Sequence, residues 1–123
     1  MQRKVPQAVI LDTNALLMPF QFNVNLDREL RRLFGDIAVL VPGVVLEELS
    51  GVDDKHARAA LALAKKYPVA ETEGRGDDAV LEVAESMEAA VVTNDRALIS
   101  RLKERGIPVV RLRAGTHLVV SEY

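Results

Sequence analysis

The sequence predicts an α/β protein, a three-layer α/β/α sandwich around a mostly parallel central sheet. Three observations predict it. Short apolar runs alternate with amphipathic helical stretches along the chain, the pattern of strands joined by right-handed helical crossovers. One run, Ile37-Ala38-Val39-Leu40-Val41, is continuous, as expected of a strand buried on both faces in a parallel sheet. The apolar half of the composition is Val, Leu, Ala and Ile, with only 4% aromatic residues, which does not suit a base-stacking or carbohydrate-binding surface.

The elements follow in order. Val5-Pro6 precedes a strand from Ala8 to Asp12, and Asp12 or Thr13 caps a short helix that Pro19 is expected to stop or bend. Phe20 to Asn25 reads as a loop. Asp27 to Phe34 reads as a helix with Leu30 and Leu33 inward, and Gly35-Asp36 as a turn before the strand from Ile37 to Val41. Pro42 ends that strand. Val44 to Leu49 is helical and stops at Gly51. Asp53 or Asp54 begins a helix to about Tyr67, with Ala59, Ala60, Leu63 and Ala64 at helical spacing. Val69-Ala70 is a very short edge strand and Thr72 to Gly76 a loop. Asp77-Asp78 open a helix with Val80, Leu81 and Ala84 inward. Ala89 to Thr93 is a strand, Arg96 to Glu104 a helix, Val109 to Leu112 a strand, and Leu118 to Val120 a last edge strand.

At 123 residues the chain reads as one domain, residues 1–123, large enough to bury about two-thirds of its unfolded surface. It has no cysteine, which excludes disulfides, zinc–thiolate sites and thiol nucleophiles. The basic start, Met1-Gln2-Arg3-Lys4, leads into too few apolar residues for a signal peptide or a membrane span, so a cytoplasmic location without membrane association is expected. The net charge of −2 argues against a protein coated in positive charge. Its distribution is uneven: Arg96, Arg101, Lys103, Arg105, Arg111 and Arg113 follow the acidic group Glu71, Glu73, Asp77, Asp78, Glu82, Glu85 and Glu88. A basic end beside an acidic cluster is a nucleic-acid footprint or simply two solvated helix faces.

Two apolar runs end on acids. Ala8-Val9-Ile10-Leu11 runs into Asp12-Thr13-Asn14, and Ala90-Val91-Val92 runs into Thr93-Asn94-Asp95. Open parallel sheets bind ligands at the carboxyl ends of their strands, where the strand order reverses. Asp77 and Asp78 start a helix that leads into a strand, which returns them to the same edge. Glu47 and Glu48 follow the strand closed by Pro42. Each aspartate taken singly is an acceptable helix cap. Glu47 and Glu48 lie about 100° apart on a helix, so one can face inward while the other faces solvent. Together, acids converging on one edge require a positive partner. An all-oxygen donor set without Cys or His selects a hard cation, Mg²⁺ or Mn²⁺, which binds phosphate and activates water.

With these residues in view, the chain resembles the PIN-domain nucleases, a family of metal-dependent ribonucleases that includes toxin ribonucleases and ribosomal-RNA processing factors. The resemblance runs through "VILDTNAL", "VPGVVLEEL", "GDDAVLEVA" and "VVTNDRAL", and the start is more similar to the archaeal rRNA-processing-like branch than to the toxin branch. It implies a PIN-like fold and four acids, Asp12, Glu48, Asp78 and Asp95, that are catalytic and hold one or two Mg²⁺ or Mn²⁺ ions. Asn14, Asp77, Thr93 and Asn94 take supporting roles. The implied activity is endonucleolytic hydrolysis of RNA phosphodiester bonds, with the RNA backbone held by Arg96, Arg101 and Lys103. A homodimer and a protein partner, an antitoxin or a processing factor, are also implied. His56 and His117 lie outside the motifs and read as surface or packing residues.

Two rivals differ in class. A non-catalytic PIN-like RNA-binding scaffold needs no repulsive acidic cluster. A haloacid-dehalogenase-like phosphatase resembles "D-x-D" after the first strand, but here the second acid is replaced by Asn14. A phosphate-cradling nucleotide site is disfavoured because "GRGDD" follows the wrong kind of element.

Overall fold

The structure, a computed structural model, describes residues 5–121; the basic start Met1–Lys4 lies outside the described residues. Among the described residues, six strands form one sheet in the order β3-β2-β1-β4-β5-β6. They are β1 (Ala8–Leu11), β2 (Ala38–Pro42), β3 (Val69–Ala70), β4 (Ala89–Val92), β5 (Val109–Arg113) and β6 (His117–Ser121). All pairings are parallel except β5 with β6. The helices among the described residues are α1 (Thr13–Gln21), α2 (Leu26–Phe34), α3 (Gly43–Ser50), α4 (Lys55–Ala64), α5 (Gly76–Ser86) and α6 (Arg96–Glu104).

Strand alternation divides the core into two layers. Val9 and Leu11 of β1, Ala90 and Val92 of β4, and Val110 and Leu112 of β5 pack with Leu16, Met18, Leu26, Leu30, Val45 and Ala60 of the first four helices. Ala8, Ile10, Ala89, Val91 and Val109 point the other way, onto Val80, Leu81, Ala84, Leu98 and Leu102 of α5 and α6. Each residue changes face at every step because successive strand side chains point to opposite sides. Both faces of β1 and β4 are therefore covered, and all four residues of each strand are buried. Fully burying one Leu, Ile or Val contributes about 1.5–3 kcal/mol, so these central strands anchor the fold.

Three expectations are revised. Pro19 does not stop α1, which continues to Gln21; the ring removes only one late N–H, and two residues complete the turn before Phe22. The run Ile37–Val41 is not buried throughout. Ala38 is exposed and Val39 and Leu40 are half-buried, because β3 pairs only with Val41 and Pro42 at the far end of β2. The helix expected to reach Tyr67 ends at Ala64, with Lys65 as its cap. No helix among the described residues is long and apolar enough to cross a membrane.

The chain leaves β1 for β2 and β3 on one side, then crosses to β4 and β5 on the other. The strand order therefore reverses between β1 and β4. Their register pairs Leu11 with Val92, which sets Asp12 level with Thr93 at the carboxyl edge of the sheet.

Candidate active site

Asp12 follows β1 and caps α1. Its Oδ1 accepts the Ala15 N–H at 2.7 Å, the ordinary service of an N-cap aspartate. Its position is not ordinary, because it is only 7% exposed. Burial pushes its carboxyl up to about 6, against the lowering influence of the Thr93 hydroxyl and the Ala15 N–H; the negative charges of Asp95 and Asp77 push it further up. A carboxylate that is both desolvated and surrounded by other acids resists ionisation.

Thr93 is fully buried beside it. Its hydroxyl lies near enough to hold the Asp12 carboxyl down and accepts the Asp95 N–H at 3.1 Å, so one side chain stands between the acids that follow β1 and β4. Asp95 caps α6 by accepting the Leu98 N–H at 3.1 Å, and its side chain stays exposed. Asn14 and Asn94 tie the same two strand ends together. Asn14 Oδ1 accepts the Asn94 N–H at 2.7 Å. The Asn94 amide reaches β5, accepting the Leu112 N–H at 2.8 Å and donating to its carbonyl at 3.4 Å. The side chain thus takes the place of a strand residue beyond the end of β4.

Glu48 lies on α3 and is exposed, as is Glu47. Glu48 is distinguished by a partner: Thr13 Oγ1 donates to its Oε2 at 2.9 Å. Thr13 precedes Asn14 in the first turn of α1, so this bond draws the Glu48 carboxylate toward the end of β1. In the sequence Thr13 reads only as a cap, because its link to Glu48 depends on how α1 and α3 pack.

The two acids opening α5 diverge. Gly76 takes a φ of +54°, a conformation glycine adopts without strain, and the chain turns there into the helix. Asp77 then shares a helical face with Val80, Leu81 and Ala84, all buried, because residues three, four and seven apart stack on one side. It is half-buried and its charge reaches Asp12. Asp78 shares its outer face with Glu82 and Glu85, both exposed. Its Oδ1 accepts from Arg101 Nη2 at 2.6 Å, and this pairing holds the Asp78 carboxyl below its ordinary range.

Asp12, Asp95, Asp77 and Thr93 therefore come together, Glu48 joins them through Thr13, and Asp78 is turned onto α6. Of the three basic residues expected to hold RNA, Arg101 is engaged by Asp78, Arg96 is exposed at the start of α6 and Lys103 is half-buried. His56 and His117 lie elsewhere: His56 is on α4, and His117 is on β6, near Glu29. Among the described residues, no three Asp, Glu or His side chains already stand close enough to hold a metal ion by themselves. The donor set nevertheless suits a hydrated hard cation, which needs only one or two carboxylates directly and keeps several waters. The raised Asp12 carboxyl marks where positive charge would be most stabilising.

Comparisons with known proteins bear on the family and the fold. Ribonuclease VapC9 of Archaeoglobus fulgidus is 32% identical over 122 residues, which cover 94% of this chain and 90% of the relative. Ribonuclease VapC4 of Methanocaldococcus jannaschii is 32% identical over 119 residues, covering 85% and 89%. The PIN domain endonuclease Utp24 superposes with a TM-score of 0.82 at 25% identity, over 98% of this chain and 95% of that one. The family described as PIN like domain matches residues 9–115. The chain belongs to the PIN-like domain family.

Proposed function

We propose that this protein is a divalent-metal-dependent endoribonuclease whose centre is the edge between β1 and β4. The observation that carries the reading is the buried Asp12, desolvated and pressed by the charges of Asp95 and Asp77 at the point where the strand order reverses. Its two archaeal relatives bear the name ribonuclease, which makes RNA the favoured substrate.

Asp12 and Asp95 are the first choice to hold Mg²⁺ or Mn²⁺, with Asp77 and Glu48 completing the set directly or through water. Asp77 takes the place first expected of Asp78, which would contribute only after release from Arg101. A bound ion supplies charge for the phosphate oxygens and acidifies a water. The protein's own groups supply order. Thr93 fixes Asp12 relative to Asp95, Asn14 and Asn94 lock the two strand ends, and Thr13 aims Glu48. Arg96 and Lys103 on α6 offer positive charge to the RNA backbone, and Arg101 joins them once released from Asp78. A homodimer and a protein partner, antitoxin or processing factor, belong to the same proposal.

The second reading, a non-catalytic RNA-binding scaffold, draws on the Asp78–Arg101 pair, which neutralises one expected ligand. The experiment that separates them is cleavage of a mixed RNA pool with EDTA, Mg²⁺ or Mn²⁺ by the wild type and by Asp12→Asn. Cleavage that needs metal and Asp12 supports the nuclease. RNA binding without cleavage under any metal overturns it in favour of the scaffold.

A further inference from the structure

We propose that the outer face of α2 is a second anchoring point for the RNA backbone, a cradle for phosphate built from Arg28 and Arg31 beside Arg32. An open depression of about 470 Å³ is lined by Asn25, Asp27, Arg28, Arg31 and Arg32. Arginines three and four apart stack on one helix face with their Cβ atoms about 5–6 Å apart, so the guanidiniums of Arg28, Arg31 and Arg32 crowd one surface.

The three arginines are not equivalent. Arg32 has structural work: its Nη2 donates to Glu29 Oε1 at 2.8 Å and to the Leu118 carbonyl at 2.7 Å, while Glu29 Oε1 accepts the Leu118 N–H at 2.9 Å. Together they close the free edge of β6. Asp27 accepts the Tyr67 hydroxyl. Arg28 and Arg31 are exposed, and among the described residues neither guanidinium has a hydrogen bond or an ion pair. Two unpaired guanidiniums in a concave site present the planar fork that fits phosphate oxygens.

Chemistry favours a nucleic-acid backbone over a protein. No apolar side chain lines the depression, whereas a peptide partner gains most of its affinity from apolar or aromatic anchors seated in pockets. Position also favours RNA, and here the inference rests on the proposed nuclease reading. Asn94, next to Asp95, holds both backbone groups of Leu112; Leu112 pairs with Leu118; and Leu118 is held by Glu29 and Arg32 of α2. That line crosses two strand spacings, about 10 Å, plus one side chain, and meets the depression at Arg32, one of its lining residues. The cradle is thus a short stretch of RNA away from the acids.

The test is RNA binding in EDTA, where no metal-dependent cleavage interferes. Binding of a short labelled single-stranded RNA is measured over a salt series for the wild type and for Arg28→Ala/Arg31→Ala. Arg32 is left intact because it secures β6. The charge-matched control is Lys55→Ala/Arg58→Ala on α4. The expected result is a roughly tenfold loss of affinity in the α2 variant, with the salt slope reduced by about 0.7 for each phosphate that is no longer neutralised. The control and the circular dichroism spectra should stay unchanged. Inorganic pyrophosphate should weaken RNA binding by the wild type more than by the α2 variant. The proposal is overturned by an unchanged affinity and slope in the α2 variant, by an equal loss in the control, or by a wild type that does not bind RNA. It is also overturned if an oligoglutamate displaces the RNA as well as unlabelled RNA does, which would make the surface one for a protein. A wild type that binds RNA but never cleaves it removes the nuclease reading and leaves the cradle standing.

Discussion

Asp78 and Arg101 form an ion pair 2.6 Å long between the first turn of α5 and the middle of α6. The resemblance to the PIN-domain nucleases implies two different partners for these residues, a metal ion and RNA, and in the fold they pair with each other. The acid whose charge reaches Asp12 is the neighbouring Asp77. Asp77→Asn should therefore reduce cleavage at least tenfold, and more than Asp78→Asn does. Steady-state cleavage of one RNA substrate by both variants is the measurement; a larger loss in Asp78→Asn would mean that the Arg101 pair opens during the reaction.

Thr13 offers a test of geometry alone. Its hydroxyl links Glu48 to the end of β1, so Thr13→Val should lower kcat several-fold without a comparable change in thermal stability. Thr13→Ser, which keeps the hydroxyl, should restore most of it. Glu48→Gln should cost more activity than Glu47→Gln, since only Glu48 is drawn to Thr13. Equal losses in the two glutamate variants would show that Glu48 has no special place.

The carboxyl of Asp12 links stability to pH. Its folded value of about 6 lies above the ordinary 3.8, so the folded state holds a proton that the unfolded chain has already released. Stability from this group is fully present below about pH 4 and is lost as pH rises to about 6, by on the order of 2–3 kcal/mol. Asp12→Asn retains a good helix cap and removes the charge, so in EDTA at pH 8 it should melt above the wild type by about 10 °C. The two should converge near pH 4. Saturating Mn²⁺ should raise the melting temperature of the wild type, by about 2.7 kcal/mol of linkage at 100 times the dissociation constant, and leave Asp12→Asn nearly unmoved. Parallel melting profiles across pH would remove the buried carboxyl from the account.

Asn94 carries a structural duty that can be separated from chemistry. Asn94→Ala leaves both the N–H and the carbonyl of Leu112 without their side-chain partner, at a cost of about 1–3 kcal/mol. Asn94→Asp keeps the acceptor for the Leu112 N–H but, when ionised, turns a carboxylate oxygen on the Leu112 carbonyl. Its melting temperature should therefore approach that of the wild type at low pH and fall toward the alanine variant as the carboxyl ionises, and denaturant unfolding of the three proteins over pH checks the order.

Much of the architecture is legible in the chain itself. The runs at Ala8–Leu11 and Ala89–Val92 are short, apolar and bounded by capping residues, and local backbone chemistry suffices to make them strands followed by helices. The resemblance carried by "LDTN" and "TND" points to the same two strand ends. Boundaries fail where a neighbour decides them: Ala38 is exposed because β3 is too short to cover it, a fact held in residues some thirty positions away.

What the sequence determined by itself was the set of acids, the absence of softer ligands, and the alternation that makes a parallel sheet. Those depend on residue type and on periods of two and 3.6, which are local properties. What only the tertiary structure decided was which acids share a charge field. The helical period of α5 places Asp77 inward and Asp78 outward, but that choice became meaningful only once α6 supplied Arg101 and the β1–β4 register brought Asp12 level with Thr93. Electrostatic coupling falls with distance and with exposure to water, and both are set by packing between segments far apart in the chain. A sequence can name the charged groups; the fold decides which of them must answer to one another.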